Sequence, residues 1–213
     1  MAPLLLGHRG ARASRTIPEN TLAPFELCLE HGCDGFEFDV RLSGDGQAVI
    51  CHDATVGGIS IAKTVAKSLP LPTLEDVLRE FAHRAFLDVE LKVAGLESQT
   101  VAELHKYPPQ NGYVVSSFLP EVLTAIRDID AAIPLGLLCE DADQLRGWRE
   151  TAAEWVIPHF KLVDQELVEL VHAAGKRIML WTVNRAELIR EFAAWGVDAI
   201  ISDLTELLVR SLR

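Results

Sequence analysis

Positive charge is scarce in this chain. Lys and Arg number 20 against 31 Asp and Glu, a formal net charge of −11 over 213 residues. Non-specific binding to nucleic acid or an anionic membrane draws its affinity from basic patches, so the balance argues against both partners. An acidic protein that acts on an anion needs local positive charge, from a metal ion or a few placed Arg and Lys. Cysteine is sparse too: Cys28, Cys33, Cys51 and Cys139 make no CxxC and no zinc-ligand spacing. Scattered cysteines of this kind are expected to be small buried hydrophobes in a reducing compartment. No apolar run reaches the roughly 18 residues of a membrane span. "MAPLLL" is too short and too uncharged for a signal peptide, which makes a cytoplasmic protein without an integral membrane segment the expectation. Internal repeats, low-complexity stretches and linkers are also missing. What remains is 49% hydrophobic and 24% charged, the balance of one globular domain spanning residues 1–213.

The apolar runs alternate with helical periodicity. Strands are expected at 3–7, 35–40, 85–93, 112–117, 133–138, 155–158, 177–183 and 198–202. Amphipathic stretches lie between them at 22–31, 73–83, 119–128, 164–174 and 185–195, with shorter ones in "LESQTVAELH" and "DADQLRGW" and a closing "LTELLVRSL". Several end in Gly, the usual helix stop, as in "AAGKRIML" and "AWGVDAII". Eight β-then-α units imply an α/β fold, a parallel (β/α)₈ TIM barrel near the lower size limit. The competing doubly wound sheet normally uses fewer strands, and no GxGxxG follows the first strand. "QAVICHD" (47–53) reads as an extra short strand, a very small insertion after the second barrel strand.

A barrel places its chemistry at the C-terminal ends of its strands. His8 ends the first, and alternation puts Leu4, Leu6 and His8 on one face, with Arg9 following into a polar mouth. Pro18 stiffens the next loop, and Asn20 or Thr21 is expected to cap a helix that Pro24 prevents from starting before about Thr21. In "GFEFDV", Glu37 and Asp39 share one face and Phe36, Phe38 and Val40 the other. If the Phe face packs on helices, two carboxylates point inward, an arrangement that costs several kcal/mol without a cation. "DVELK" adds Asp88, Glu90 and Lys92 on one face. Glu37, Asp39 and Glu90 together offer an oxygen site for Mg²⁺ or Ca²⁺. The competing reading is a simple ion-paired cluster, with Lys92 as its cation. His52-Asp53 follows the extra strand. Met179, Trp181 and Val183 are expected on one face, with Trp181 either core or a flat wall for a ligand. His31, His83, His105 and His172 fall in or beside helices and carry no chemistry, while His159, just after the sixth strand, stays a reserve candidate.

In chain order, "GHRG" (7–10), "PENT" (18–21), "GFEFDV" (35–40), "DG" (45–46), "HD" (52–53), "PTLEDVL" (72–78), "ELK" (90–92), "SSF" (116–118), "WTVN" (181–184) and "GVDAIISD" (196–203) resemble the glycerophosphodiester phosphodiesterase family over nearly the whole chain. The resemblance implies a (β/α)₈ barrel that hydrolyses a small-molecule glycerophosphodiester to sn-glycerol 3-phosphate and an alcohol. It implies that His8 and His52 are general acid and base, that Glu37, Asp39 and Glu90 hold one divalent cation (Mg²⁺ or Ca²⁺), and that Arg9 and Lys92 contact phosphate. Trp181 would be the wall against glycerol, with Phe118 lining the same entrance and Glu19, Asn20 and Asp53 in support. Arg12 and Arg15 read as loop charges that help draw in an anion. The chain departs from the family in the short "ATVGGISIAKTVAKSLPL", in Ser43-Gly44, and in Ser202 with no Pro after Asp203. The alternatives are a lysophospholipase D, although no apolar lid is evident, a glycoside hydrolase using Glu37 and Glu90, which leaves both histidines unexplained, and a non-catalytic phosphate-ester-binding barrel.

Overall fold

In the computed structural model, which describes residues 2–14 and 16–213, the expected rhythm closes on itself. The strands are β1 (Leu4–His8), β2 (Gly35–Leu42), β3 (Ala48–Ile50), β4 (Thr55–Val56), β5 (Ile59–Ser60), β6 (Phe86–Leu91), β7 (Tyr113–Ser117), β8 (Leu135–Cys139), β9 (Trp155–Pro158), β10 (Arg177–Leu180) and β11 (Ala199–Ser202). The helices are α1 (Leu22–Glu30), α2 (Leu74–Phe81), α3 (Glu97–Lys106), α4 (Pro120–Ile129), α5 (Ala142–Arg146), α6 (Gln165–Ala173), α7 (Ala186–Trp195) and α8 (Thr205–Leu212). Parallel pairing runs β1-β2-β6-β7-β8-β9-β10-β11, and β1 then pairs with β11, which closes an eight-stranded barrel. The (β/α)₈ expectation is met.

Strand parity divides the side chains into two apolar layers. Leu5, Phe36, Phe38, Val40, Leu87, Val89 and Leu91 point outward and pack beneath the helices. Leu6, Phe86, Val114, Leu138, Trp155, Ile157, Met179, Ala199 and Ile201 fill the lower lumen, with Leu4 against them. Four aromatic rings seal the outer side of β2: Phe25 stacks on Phe36 at 4.2 Å between centroids, and Phe36 meets Phe81 edge-on at 5.1 Å, with Phe38 tilted against both Phe25 and Phe36. That packing forces Glu37 and Asp39 inward. Gly35 is obligatory at the start of β2, because a Cβ there would lie 1.8 Å from the Phe86 carbonyl oxygen.

The small insertion begins with β3, which pairs antiparallel to the end of β2 with Val40 opposite Ile50. Two-residue hairpin β4–β5 follows, and Gly57 and Gly58 turn it with φ of 56° and 79°, values that glycine adopts without steric cost. Two expectations change in detail. β10 ends at Leu180, so Met179 and Trp181 face the lumen whereas Val183 joins the outer layer. Thr21 occupies the N-cap position of α1 but its hydroxyl donates to the Pro18 carbonyl, and Asn20 is engaged elsewhere, so neither side chain caps the helix. α5 is a five-residue remnant, because Asp141 caps it but Gly147 ends it within about a turn and a half. Cys28, Cys33 and Cys139 are buried free thiols, and Cys51 is half-buried.

Candidate active site

At the C-terminal end of the barrel the lumen changes from apolar to acidic. Register sets His8 opposite Glu37, Glu37 opposite Asp88, and Asp39 opposite Glu90, so three adjacent strands aim their last inward side chains at one point. Oxygens of Glu37, Asp39 and Glu90 lie within 4.8 Å of one another, and all three residues are buried. Their surroundings separate them. Asp39 stays ionised: burial opposes this, but Lys92, Arg9 and an Asn20 hydrogen bond outweigh it and hold its carboxyl below the usual range. Burial, reinforced by Asp39, pushes Glu37 well up and Glu90 up to about 8. Behind them Asp88 accepts from Ser116 Oγ at 2.6 Å and is pushed up to about 7, chiefly by burial.

The cations are placed but do not balance the cluster. Lys92 Nζ sits 2.5 Å from Glu90 Oε1 and 3.3 Å from Asp39 Oδ1. Arg9 Nε is 3.2 Å from Asp39 Oδ2, while its Nη1 donates to Glu19 Oε1 at 2.6 Å. The ion-paired reading therefore describes Asp39 and Glu90 but not Glu37, whose Oε1 is buried with no donor. An orphaned carboxylate oxygen beside two further acids, with protons held where a cation would displace them, fits a hard divalent ion. The residues present can hold such an ion.

The backbone is strained into this arrangement at Arg9, and Asn20 takes a left-handed conformation that Asn tolerates. Arg9 and Asn20 both have positive φ, 52° and 57°, the left-handed region that side chains other than Asn and Asp seldom enter. Arg9 thereby donates its amide to Glu37 Oε2 at 3.0 Å. Asn20 clasps Asp39 from both sides: its Nδ2 donates to Oδ2 at 2.8 Å, and its Oδ1 accepts from the Asp39 amide. "PENT" is thus a brace for a carboxylate.

Both histidines border the same cavity of about 460 Å³, together with Arg9, Glu37, Glu90, Lys92, Phe118, Leu138, Glu140 and Trp181. Each ring is oriented by a carboxylate on Nδ1. His52 pairs with Asp53 at 2.7 Å, and the His52 carbonyl accepts from Arg41 Nε at 2.6 Å. His8 pairs with Asp203 at 2.7 Å. Donation from Nδ1–H leaves Nε2 toward the cavity, 3.9 Å from Glu37 Oε2. Across from the acids Trp181 meets Phe118 edge-on at 5.6 Å and His159 at 5.2 Å, and its Nε1–H donates to the Ile157 carbonyl. Lys92 Nζ lies 5.6 Å from the Phe118 ring centre. His159 contributes to this aromatic wall, and desolvation keeps its ring below the ordinary histidine range.

Sequence reasoning missed Asp203, Asn184 and the place of Arg12. Asp203 Oδ1 accepts from His8 and from Arg12 Nη1, its Oδ2 accepts from Asn184 Nδ2, and Asn184 Oδ1 in turn accepts from the Asp203 amide and the Ser202 hydroxyl. Burial works against ionisation of Asp203, but these donors hold it far below the usual carboxylate range. Arg12 also donates from Nε to Glu19 Oε2 at 2.5 Å, so it bridges two supporting acids and is more than a loop charge. The available signal was positional: Asp203 follows β11 as His8 ends β1. Arg15 lies outside the described residues. His31, His105 and His172 pair with Thr205 and Glu206, Asp130, and Asp198, away from this cavity.

A parallel barrel with a carboxylate cluster and two carboxylate-held histidines at its C-terminal mouth has the form of an acid–base ester hydrolase. Comparison with known proteins makes this specific. The model of the glycerophosphoryl diester phosphodiesterase family matches residues 8–78 and 60–207, and the chain belongs to that family. A glycerophosphodiester phosphodiesterase of Caldanaerobacter subterraneus is 28% identical over 243 residues, covering 100% of this chain and 99% of its own. A phosphodiesterase of Oleispira antarctica, solved with the product sn-glycerol-3-phosphate, superposes with a TM-score of 0.86 at 27% identity and covers 99% of this chain and 96% of that one. The Thermotoga maritima glycerophosphodiester phosphodiesterase shares the fold, with a TM-score of 0.86 at 24% identity over 99% of this chain and 98% of its own. Among the described residues no helix is long and apolar enough to cross a membrane.

Proposed function

We propose that this chain hydrolyses glycerophosphodiesters to sn-glycerol 3-phosphate and an alcohol, with residues 1–213 acting as one catalytic domain. Family membership supports the reading, and one observation carries it: the Glu37, Asp39 and Glu90 oxygens converge within 4.8 Å in the cavity that His8 and His52 border. Glu37, Asp39 and Glu90 are the residues to hold the cation, Mg²⁺ or Ca²⁺. When bound, such an ion supplies Lewis-acid neutralisation of a phosphoryl oxygen, worth several kcal/mol of transition-state stabilisation.

The chain's own groups do the rest. Lys92 and Arg9 draw the phosphate in and offset its charge. His52 accepts the proton of the attacking oxygen, the neighbouring hydroxyl of the glycerol, and His8 gives one to the leaving alcohol. Water then opens the resulting cyclic phosphate. Each proton transfer contributes on the order of 10²–10⁴ in rate. Asp203 and Asp53 keep Nδ1 occupied so that each Nε2 faces the substrate. Trp181 and Phe118 flank the carbon skeleton of the glycerol. A glycoside hydrolase would leave both histidines idle.

The test is an assay of chelator-stripped protein over glycerophosphocholine, glycerophosphoethanolamine and glycerophosphoglycerol, detecting glycerol 3-phosphate. Activity is expected to vanish with EDTA, to return with Mg²⁺ or Ca²⁺, and to be nearly absent in His8→Ala and His52→Ala. Full turnover by demonstrably metal-free protein sinks the proposal.

A further inference from the structure

Glu140 borders the catalytic cavity but serves neither the cation, the phosphate nor the proton transfers. Leu138 on β8 points into the lumen, and alternation brings Glu140, two residues on, to the same side at the mouth, beside Phe118 and Trp181. Its backbone is fixed there: the Cys139 carbonyl accepts from the His159 amide at 2.8 Å, and the Glu140 amide donates to Gln144 Oε1 at 2.6 Å. The two acids that follow are engaged locally, since Asp141 accepts from the Asp143 and Gln144 amides and Asp143 pairs with Arg146. The Glu140 carboxylate, by contrast, is exposed and has no hydrogen-bond or ion-pair partner among the described residues. At His159 desolvation and Lys161 oppose protonation while Glu140 favours it, so the carboxylate is within electrostatic reach of the aromatic wall.

Position in the ring decides what this carboxylate meets. β8 lies four strands from β1 in either direction, so Glu140 stands across the mouth from His8. The alcohol that takes its proton from His8 departs on the far side, and the arm of the diester that reaches Glu140 is the glycerol, flanked by Trp181 and Phe118. We propose that Glu140 is a specificity-determining residue that accepts a hydrogen bond from the distal hydroxyl of the substrate's glycerol, on the carbon farthest from the phosphate. The inference rests on the function proposed above. An ionised carboxylate only accepts, and the distal hydroxyl is the one group on this arm with a proton to donate once the neighbouring hydroxyl gives its own to His52. The contact therefore favours a glycerol diester over one that ends in a methyl group at that carbon. It also disfavours a diester acylated there, which has no proton to offer. A hydrogen bond to a charged group contributes roughly tenfold to hundredfold, with the lower end expected at this solvent-exposed position.

The experiment measures kcat/KM for glycerophosphocholine and for the analogue in which propane-1,2-diol replaces glycerol, following choline release with Mg²⁺ present. The analogue keeps the attacking hydroxyl and lacks the distal one. In the wild type the glycerol diester is expected to lead by roughly tenfold or more. Glu140→Ala should bring the two substrates within about threefold of each other, and Glu140→Gln, whose amide oxygen still accepts, should keep part of the lead. Glu140 is exposed, so neither change disturbs the core. No lead in the wild type, or an undiminished lead in Glu140→Ala, overturns the assignment. Glycerophosphoglycerol separates one more outcome. If Glu140→Ala lowers kcat/KM for both choline diesters alike and spares this one, the carboxylate meets the cationic head group and the glycerol contact is refuted. If no diester of any kind is cleaved, the functional reading fails instead. Glu140 is then judged by calorimetric Kd values of glycerol 3-phosphate and propane-1,2-diol 1-phosphate, which should differ in the wild type and converge in Glu140→Ala.

Discussion

Replacing Asp203 by Asn tests whether the ring of His8 is held for catalysis. The carboxylate uses two oxygens: Oδ1 accepts from His8 Nδ1 and Arg12, and Oδ2 accepts from Asn184 Nδ2. An amide of the same shape has one acceptor. If its oxygen serves Asn184, its NH₂ faces His8 Nδ1, and the imidazole must move its proton to Nε2, the nitrogen the reaction needs. If its oxygen serves His8, two NH₂ groups collide at Asn184. Either way one partly buried interaction to a charged group is lost, at about 1.5–3 kcal/mol. For a chain of this length that corresponds to a fall in Tm of roughly 3–12 °C. Loss of the correct tautomer should cost on the order of 10²–10⁴ in kcat, with KM changed much less. Because the folded-state carboxyl of Asp203 is held below its ordinary value of 3.8, its stabilisation is complete above that pH and is lost as pH falls through the lower folded-state value. The gap in Tm between wild type and Asp203→Asn should therefore be full at pH 7 and narrow in acid. Steady-state assays and melts at both pH values measure this, and a kcat within about threefold of wild type, with the fold intact, refutes the role of Asp203.

Three further outcomes follow from the same geometry. Glu37→Gln should abolish stabilisation by Mg²⁺ or Ca²⁺ while raising the Tm of the metal-free protein by a few degrees, since an orphaned buried carboxylate is removed; differential scanning calorimetry with and without EDTA checks both signs. In EDTA the wild type should lose stability as pH rises toward and through about 7 and 8. Asp88 and Glu90 bind protons more tightly folded than unfolded, so their contribution is full only below the ordinary carboxyl values of 3.8 and 4.5, and a saturating divalent ion should blunt the decline. Gly35→Ala should cost more than about 4 kcal/mol and yield little soluble protein, because its methyl would overlap the Phe86 carbonyl; wild-type yield and melting would contradict the close approach.

Much of the site was legible because a two-residue period is a local property. "GFEFDV" alone assigns Phe36, Phe38 and Val40 to one face and Glu37 and Asp39 to the other, and "DVELK" does the same for Asp88 and Glu90. β-then-α alternation determined the barrel, and the barrel determined which strand ends face the mouth. The sequence could not determine what those ends meet. His8 and Asp203 stand 195 positions apart and touch only because β1 pairs with β11 at closure. Asn20 looked like a helix cap because that is the commonest local use of an Asn before a helix. Tertiary structure turned it onto Asp39, where a buried charge offers a stronger hydrogen bond than an exposed helix end. The α5 stretch read as a short helix in "DADQLRGW", and the structure keeps it short, from Ala142 to Arg146. Local periodicity determines the direction in which a side chain points; closure and packing decide its partner, since desolvation and pairing depend on atoms brought from elsewhere in the chain.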